Sequence, residues 1–355
     1  MKNWEKNIRK VIPYVPGEQP DAPGMVKLNT NENPYPPAPG VRKAIQEFQV
    51  DKLKLYPDPT AGILVKALAD YYQLKEDQVF VGVGSDDVLA MAFMTFFNSD
   101  KPILFPDITY SFYDVWAELL HIPYERPVLN EDFRIRKEDY YRENGGIVIA
   151  NPNAPTSLYE DVGFIRDILE HNQDSIVIVD EAYIDFGGTS SLDLIKEFDN
   201  LLVVQTFSKS RSMAGLRIGY AMGSSVLIKA LNDVKYSYNS YTMNQTSIYF
   251  GVEAVKDEAY FKECLGRIID TREWTKKELG KLGFSFLDSK TNFIFAAHKD
   301  IPAEEIFLAL KAKNIFVRYF NKPRISNYLR ITIGTGEEME KLVKALKVIV
   351  FDASK

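Results

Sequence analysis

The sequence predicts an α/β protein: a large domain with a mostly parallel central sheet flanked by helices, then a smaller α+β domain. Three observations lead there. Between about residues 60 and 245, short apolar runs alternate with amphipathic stretches of helical period, the pattern of a parallel sheet between helix layers. The residues that carry chemistry follow directly on those runs, where open α/β sheets bind ligands. Beyond about residue 250 the alternation gives way to one long helical stretch and several short strand runs. At 355 residues the chain also exceeds one ordinary core and suits two.

Each element has its own signal. Residues 1 to about 40 are rich in Pro, Asn and Gly and read as an extended arm rather than helix or strand. Pro36-Pro37-Ala38-Pro39 reads as a rigid turn into a helix over 40–48. Helical periodicity then covers 63–72, 86–97, 113–120 and 163–171, and apolar strand runs cover 79–83, 103–105, 147–150, 176–179 and 201–204. In the second part, Phe261, Leu265, Ile268, Ile269, Leu279 and Leu282 line one helix over 257–282 that Gly283 stops. Strands are expected at 284–287, 293–296, 315–318 and 328–333, and helices at 303–313 and 337–351. The expected division is an arm with its lead-in helix at 1–45, a large domain at 46–248 and a small domain at 249–355. There is no internal repeat.

Composition narrows the function. A net charge of −6 without a Lys/Arg block argues against a nucleic-acid partner, so any anion site must be a local cluster. One cysteine, Cys264, excludes an internal disulfide framework and suits a reducing compartment. His121, His171 and His298 show no ligand spacing, so no metal site is expected. The amino terminus lacks the apolar core of a signal peptide, and the most apolar stretch, 88–97, is too short to span a bilayer. A cytoplasmic protein is expected, with no membrane partner.

The most informative segment runs from Thr206 to Tyr220 (Thr-Phe-Ser-Lys-Ser-Arg-Ser-Met-Ala-Gly-Leu-Arg-Ile-Gly-Tyr), directly after an apolar run. Lys209 is flanked by hydroxyls, and Arg217 stands eight positions on among glycines. A lysine becomes a covalent catalyst by condensing with an aldehyde, and pyridoxal phosphate is the common cofactor that uses it so. Thr206, Ser208 and Arg217 suit its phosphate. Asp180 ends another apolar run, where a buried carboxylate would keep a pyridine nitrogen protonated. Tyr183, three residues on, is in reach of a phenolic oxygen. Gly84-Ser85-Asp86 opens a helix after a strand, with Ser85 or Asp86 as its cap and its amides free for phosphate. A dinucleotide fold would need a third glycine at 87, where Asp87 stands. Tyr110, after the strand run at 103–105, is placed to stack on a flat ring.

Together these residues resemble the fold-type-I, pyridoxal-phosphate-dependent aminotransferases. More narrowly, the chain is similar over nearly its whole length to the histidinol-phosphate aminotransferases. The runs that carry the narrower likeness are Asn29-Thr30-Asn31-Glu32-Asn33-Pro34-Tyr35, Leu55-Tyr56-Pro57-Asp58-Pro59, Ile108-Thr109-Tyr110-Ser111, Phe316-Val317-Arg318-Tyr319-Phe320 and Tyr328-Leu329-Arg330-Ile331-Thr332-Ile333-Gly334-Thr335. The resemblance implies Lys209 as the Schiff-base lysine and Tyr56 as a residue lent to the neighbouring subunit's cofactor phosphate, hence a homodimer. It implies transamination of histidinol phosphate with 2-oxoglutarate in histidine biosynthesis. Arg318 and Arg330 are the candidates for holding the substrate's phosphate or carboxylate. An aromatic amino-acid aminotransferase, a threonine-phosphate decarboxylase and a non-catalytic regulator are the alternatives on the same fold.

Two departures from the family stand out. Ala154 replaces the asparagine that bonds the cofactor's phenolic oxygen, with Asn153 as the neighbouring substitute. In Tyr238-Asn239-Ser240-Tyr241-Thr242-Met243-Asn244 only Tyr241 and Asn244 keep the family's places, so this loop is given no role.

Overall fold

The computed structural model describes residues 2–353. In chain order its strands are β1 (Val26–Lys27), β2 (Val79–Gly82), β3 (Ile103–Leu104), β4 (Tyr124–Glu125), β5 (Gly146–Ala150), β6 (Val177–Asp180), β7 (Leu201–Thr206), β8 (Gly219–Gly223), β9 (Phe284–Phe286), β10 (Phe293–His298), β11 (Ile315–Phe316), β12 (Arg318–Tyr319) and β13 (Leu329–Thr332). A seven-stranded sheet takes the order β2-β8-β7-β6-β5-β3-β4. The β4-β3-β5-β6-β7 series is parallel throughout, and only β8 runs against its neighbours β2 and β7. The parallel sheet expected from the sequence is therefore present, with one antiparallel insertion.

The β5, β6 and β7 side chains alternate between two cores. Ile147, Ile149, Val177, Val179, Leu201 and Val203 enter one face; Val148, Ile178, Leu202 and Val204 enter the other. Burial on both faces explains why these strands read as continuous apolar runs. Helices cover the faces: α1 (Pro39–Glu47), α2 (Gly62–Tyr72), α3 (Ser85–Phe96), α4 (Tyr113–Leu120), α5 (Val162–Glu170), α6 (Ser225–Tyr238) and α7 (Gln245–Lys256). Helices α1 and α2 both pack on α7.

The rest of the chain builds around an antiparallel sheet, β12-β13-β10-β9, with α8 (Glu258–Lys281), α9 (Ala303–Ala312) and α10 (Gly336–Ala353). Its core, with Ile294, Ile306, Ile331 and Leu342, is separate from the two cores of the large sheet. The long helix ends as its sequence predicts, with Gly283 in the left-handed region at φ 85°.

Several expectations are corrected. The arm is not wholly without strand: β1 pairs parallel with β11. The single strand expected over 315–318 is two, because β11 joins β1 while β12 turns to β13. Helices α6 and α7 and strand β8 fall where the sequence reading assigned nothing. Both helices carried a signal, since Ser224 and Asn244 are their side-chain N-caps. β8 (Gly-Tyr-Ala-Met-Gly) has no β-branched residue to announce it. Its Gly219 is required by contact: a Cβ there would lie 2.2 Å from the Gly84 carbonyl carbon.

Candidate active site

Strands β2, β3, β5, β6 and β7 end at one edge of the large sheet, and the cleft lies beyond those ends, as doubly wound sheets require. Nine residues singled out from the sequence line it: Ser85, Asp86, Tyr110, Asp180, Tyr183, Thr206, Ser208, Lys209 and Arg217. Gly84 lies behind this wall as the N-cap residue of α3. Ala150, Pro152, Ala154 and Ala182 complete the lining.

Asp180, the last residue of β6, is 6% exposed. Its Oδ2 accepts from the Tyr113 hydroxyl (2.8 Å) and its Oδ1 from the Ala182 amide (3.2 Å). No Lys or Arg pairs with it among the described residues. Burial pushes its pKa up to about 6 against the pull of those two bonds. A buried carboxylate lacking a cation, at the floor of a cleft, is suited to a protonated ring nitrogen. The next residue, Glu181, accepts from Ser190 Oγ, the Ser191 amide and Gln205 Nε2. It braces the turn that carries Asp180 and Tyr183.

At the other end of the cleft a hydroxyl and guanidinium cluster gathers. Arg217 donates to Ser208 Oγ (3.4 Å) and to Asp86 Oδ2 (3.1 Å). Thr206 Oγ1 donates to Ser208 Oγ (3.0 Å) and accepts from the Ser208 amide (3.1 Å). Gly84 sits at φ 87°, and a Cβ on it would meet the Arg217 guanidinium at 2.5 Å, so glycine there lets arginine lie across the start of α3. The sequence reading gave the cap to Ser85 or Asp86; instead Gly84 holds that position without a side-chain bond. Asp86 turns to Arg217 and to the Tyr110 hydroxyl (2.8 Å), and Asp87 accepts from the Val83 amide. Arginine, two hydroxyls and a helix N-terminus are a set that can hold a phosphate. The cleft thus matches pyridoxal phosphate at both ends.

Lys209 lines the same cleft. Its Nζ lies 3.3 Å from the Thr30 carbonyl and 5.8 Å from the Tyr183 ring centroid. The arm holds this region: Asn33 Nδ2 donates to the Lys209 and Ser210 carbonyls, and Asn31 Nδ2 to the Tyr183 hydroxyl (2.9 Å). Tyr110 joins an aromatic group with Phe112, Tyr113 and Trp116. Burial and the Asp86 carboxylate push its phenol far above the usual range.

Arg318 and Arg330 are directly opposed across the β12–β13 ladder. Neither has an acidic partner among the described residues. Arg330 Nη2 donates to the Asn29 carbonyl, while its Nε is sealed from solvent without a partner. Burial, and then the charge of Arg318, lower the Arg330 pKa. Tyr56 is elsewhere: it is 81% exposed and packs on Tyr241 at 4.8 Å between ring centroids.

Asn153 does not substitute for the family's asparagine. Its Oδ1 accepts from Thr109, and its Nδ2 donates to the Ile108 carbonyl and to Thr156. Every polar atom of that side chain is engaged in holding the strap before Tyr110. Sequence reasoning also missed Tyr113, which nothing in its helical context distinguishes, and the roles of Asn31 and Asn33, which lay inside a quoted motif.

Comparison with known proteins agrees with this geometry. The profile of the family "Aminotransferase class I and II" matches residues 23–346. A histidinol-phosphate aminotransferase of Clostridium botulinum (strain Langeland) is 53% identical over 349 residues, 98% of this chain and 99% of the relative. One from Lactococcus lactis subsp. cremoris (strain MG1363) is 53% identical over 345 residues, 97% of each chain. Among solved structures, the histidinol-phosphate aminotransferase of Sinorhizobium meliloti in complex with pyridoxal-5'-phosphate superposes with a TM-score of 0.85 at 22% identity, covering 92% of this chain and 91% of that one. The Clostridium acetobutylicum enzyme gives 0.84 at 24% identity, covering 92% and 100%. At those identities the superpositions establish the fold, and the full-length relatives establish the family. The chain belongs to the class I and II aminotransferases, in the histidinol-phosphate aminotransferase family.

Proposed function

We propose that this protein transfers the amino group of L-histidinol phosphate to 2-oxoglutarate, giving imidazole-acetol phosphate and glutamate, with pyridoxal phosphate as cofactor. The observation that carries the substrate assignment is the opposed Arg318–Arg330 pair without acidic partners. A phosphate ester in one half-reaction and a dicarboxylate in the other both need such a site, and guanidinium forks bond either. Relatives more than half identical over their full length bear the same enzyme name.

When bound, the cofactor supplies an aldehyde for the lysine and an electron-withdrawing ring for the substrate's Cα electrons. Lys209 would anchor it; once displaced by the substrate amine, its Nζ would take the Cα proton and deliver it to the cofactor's aldehyde carbon. Asp180 would keep the ring nitrogen protonated. Tyr183 would donate to the phenolic oxygen, and Tyr110 would cover the ring face. Thr206, Ser208, Arg217 and the Gly84-Ser85-Asp86 turn would hold the phosphate.

The homodimer, in the cytoplasm, belongs to the same reading. Val50, Leu53, Leu55 and Tyr56 are all exposed on one short segment, and Tyr241, itself exposed, packs on Tyr56. An apolar patch of that kind calls for a second copy, with Tyr56 offered to its cofactor phosphate. The separate core around β10 and β13 supports a second, smaller domain, although α7 (Gln245–Lys256) runs across residue 248 and its Phe250, Ala254 and Val255 pack in the core of the large sheet. The test is steady-state formation of glutamate from histidinol phosphate and 2-oxoglutarate, compared with phenylalanine and threonine phosphate. Preference for phenylalanine, or release of carbon dioxide from threonine phosphate, would replace this assignment.

A further inference from the structure

We infer that Asn31, a residue of the arm, sets the direction of the Tyr183 hydroxyl proton and so acts as a positioning residue for the cofactor's phenolic oxygen. The inference rests on the cofactor reading above and concerns a residue with no part in the chemistry itself.

The argument is one of donors and acceptors. Asn31 is 1% exposed and bonded on every side. Its backbone amide donates to Thr332 Oγ1 (3.0 Å), and the Thr332 hydroxyl donates to Asn31 Oδ1 (3.0 Å). A hydroxyl has one proton, so once Thr332 Oγ1 accepts from the backbone, that proton goes to the Asn31 oxygen. The amide of Asn31 is thereby fixed, with Nδ2 toward Tyr183, where it donates to the hydroxyl at 2.9 Å. Tyr183 consequently accepts from Asn31, and its own proton is left to point into the cleft that its side chain lines.

The backbone makes the arrangement rigid. Asn31 occupies the left-handed region at φ 56°, which asparagine tolerates better than most residues. Its carbonyl accepts from Asn292 Nδ2 (3.0 Å). Residues 29–33 are thus fastened on one side to β13 and on the other to the Lys209 loop, through Arg330 to the Asn29 carbonyl and Asn33 to the Lys209 carbonyl.

The orientation matters because of position 154. The histidinol-phosphate aminotransferases usually have an asparagine there that donates to the phenolic oxygen. Ala154 lines the cleft with nothing to donate, and Asn153 is fully engaged elsewhere. The charged and titratable groups that face Tyr183 are Lys209, whose Nζ lies 5.8 Å from its ring, Arg330 and Tyr110. Lys209 and Arg330 are donors only, and no described residue accepts a hydrogen bond from the Tyr183 hydroxyl, so its proton is not drawn to another acceptor.

The test is the pH midpoint of the holoenzyme's visible absorbance band, which reports the proton shared between the cofactor and Lys209. Four proteins are compared: wild type, Tyr183→Phe, Asn31→Gly and the double variant. Glycine is chosen because it accepts the positive φ without strain. Loss of a donor to a charged oxygen in Tyr183→Phe should raise the midpoint by about 1–2 pH units. Asn31→Gly should raise it by roughly 0.5–1 unit, since the hydroxyl remains but loses its direction. The double variant should match Tyr183→Phe alone, because Asn31 acts only through that hydroxyl. Thr332→Val, which frees the Asn31 amide to turn over, should give a smaller shift of the same sign and serves if Asn31→Gly fails to fold. An unshifted midpoint in both Asn31→Gly and Thr332→Val, or an Asn31→Gly shift that adds in full to that of Tyr183→Phe, overturns the inference. Absence of any visible band in wild type would instead overturn the cofactor reading.

Discussion

Replacing Asp180 by asparagine should act in opposite directions on the protein without and with its cofactor. The substitution keeps the shape and a carbonyl acceptor, and the Tyr113 hydroxyl can reverse to accept from the new amide. It removes only the charge. In the cofactor-free protein that charge is a burden, because burial raises the Asp180 pKa from the usual 3.8 to about 6. Below pH 3.8 the carboxyl is protonated in both folded and unfolded chains and costs nothing. Between 3.8 and 6 the folded chain binds more proton than the unfolded one, so stability falls as pH rises; above 6 the loss is complete. Two pH units at ~1.4 kcal/mol each give a loss of about 3 kcal/mol. Denaturant titrations of the cofactor-free proteins should therefore show the asparagine variant gaining on wild type by up to that amount between pH 4 and 7. With cofactor bound, the same charge would face a protonated ring nitrogen. At ~4 Å and an effective dielectric near 20 their attraction is about 4 kcal/mol, so turnover should fall about 10³-fold at pH 7. Turnover within about fivefold of wild type, or parallel pH–stability curves for the two proteins, would refute the reasoning.

Other expected outcomes follow from the same geometry. Arg217→Ala should weaken pyridoxal phosphate binding by about 10–10²-fold in a fluorescence titration, through loss of one charge-assisted bond. Gly84→Ala places a Cβ 2.5 Å from the Arg217 guanidinium at a positive φ, and should lower folding stability by ~1–3 kcal/mol in urea and weaken cofactor binding. Arg330→Ala should lower kcat/KM about 10²–10⁴-fold with histidinol phosphate and with glutamate alike, whereas Arg318→Ala should harm the phosphate substrate more than phenylalanine. Mixing inactive Lys209→Ala protein with an inactive Tyr56→Phe variant should restore part of the activity through hybrid dimers, and a fully active monomer by sedimentation would contradict the shared site.

The parts legible in sequence were those where local chemistry and period agree. β5, β6 and β7 read as strands because both their faces are buried, and the lysine segment showed itself because its hydroxyls and Arg217 follow β7 directly. Nine cleft residues could be named in advance because a doubly wound sheet gathers the ends of its strands at one edge. What escaped was non-local. β8 is placed by its pairing with β2 and β7, and Gly219 leaves room for the close approach of the Gly84 carbonyl, all contacts between segments distant in the chain. Tyr113 became a partner of Asp180 only when α4 folded against β6. Asn31 lay within a quoted motif, yet its bond to Tyr183 spans 152 positions and depends on Thr332 of the small sheet. The cap of α3 differs from the expectation because Gly84, Ser85 and Asp86 all suit a helix start, while in the structure Gly84 takes the cap position and Asp86 bonds Arg217.

The most direct test of the account is where the cofactor is attached. Holoenzyme reduced with borohydride and digested should yield one peptide carrying the pyridoxyl label, with the label on Lys209. A label on any other lysine, or no incorporation after incubation with pyridoxal phosphate, would contradict the central claim.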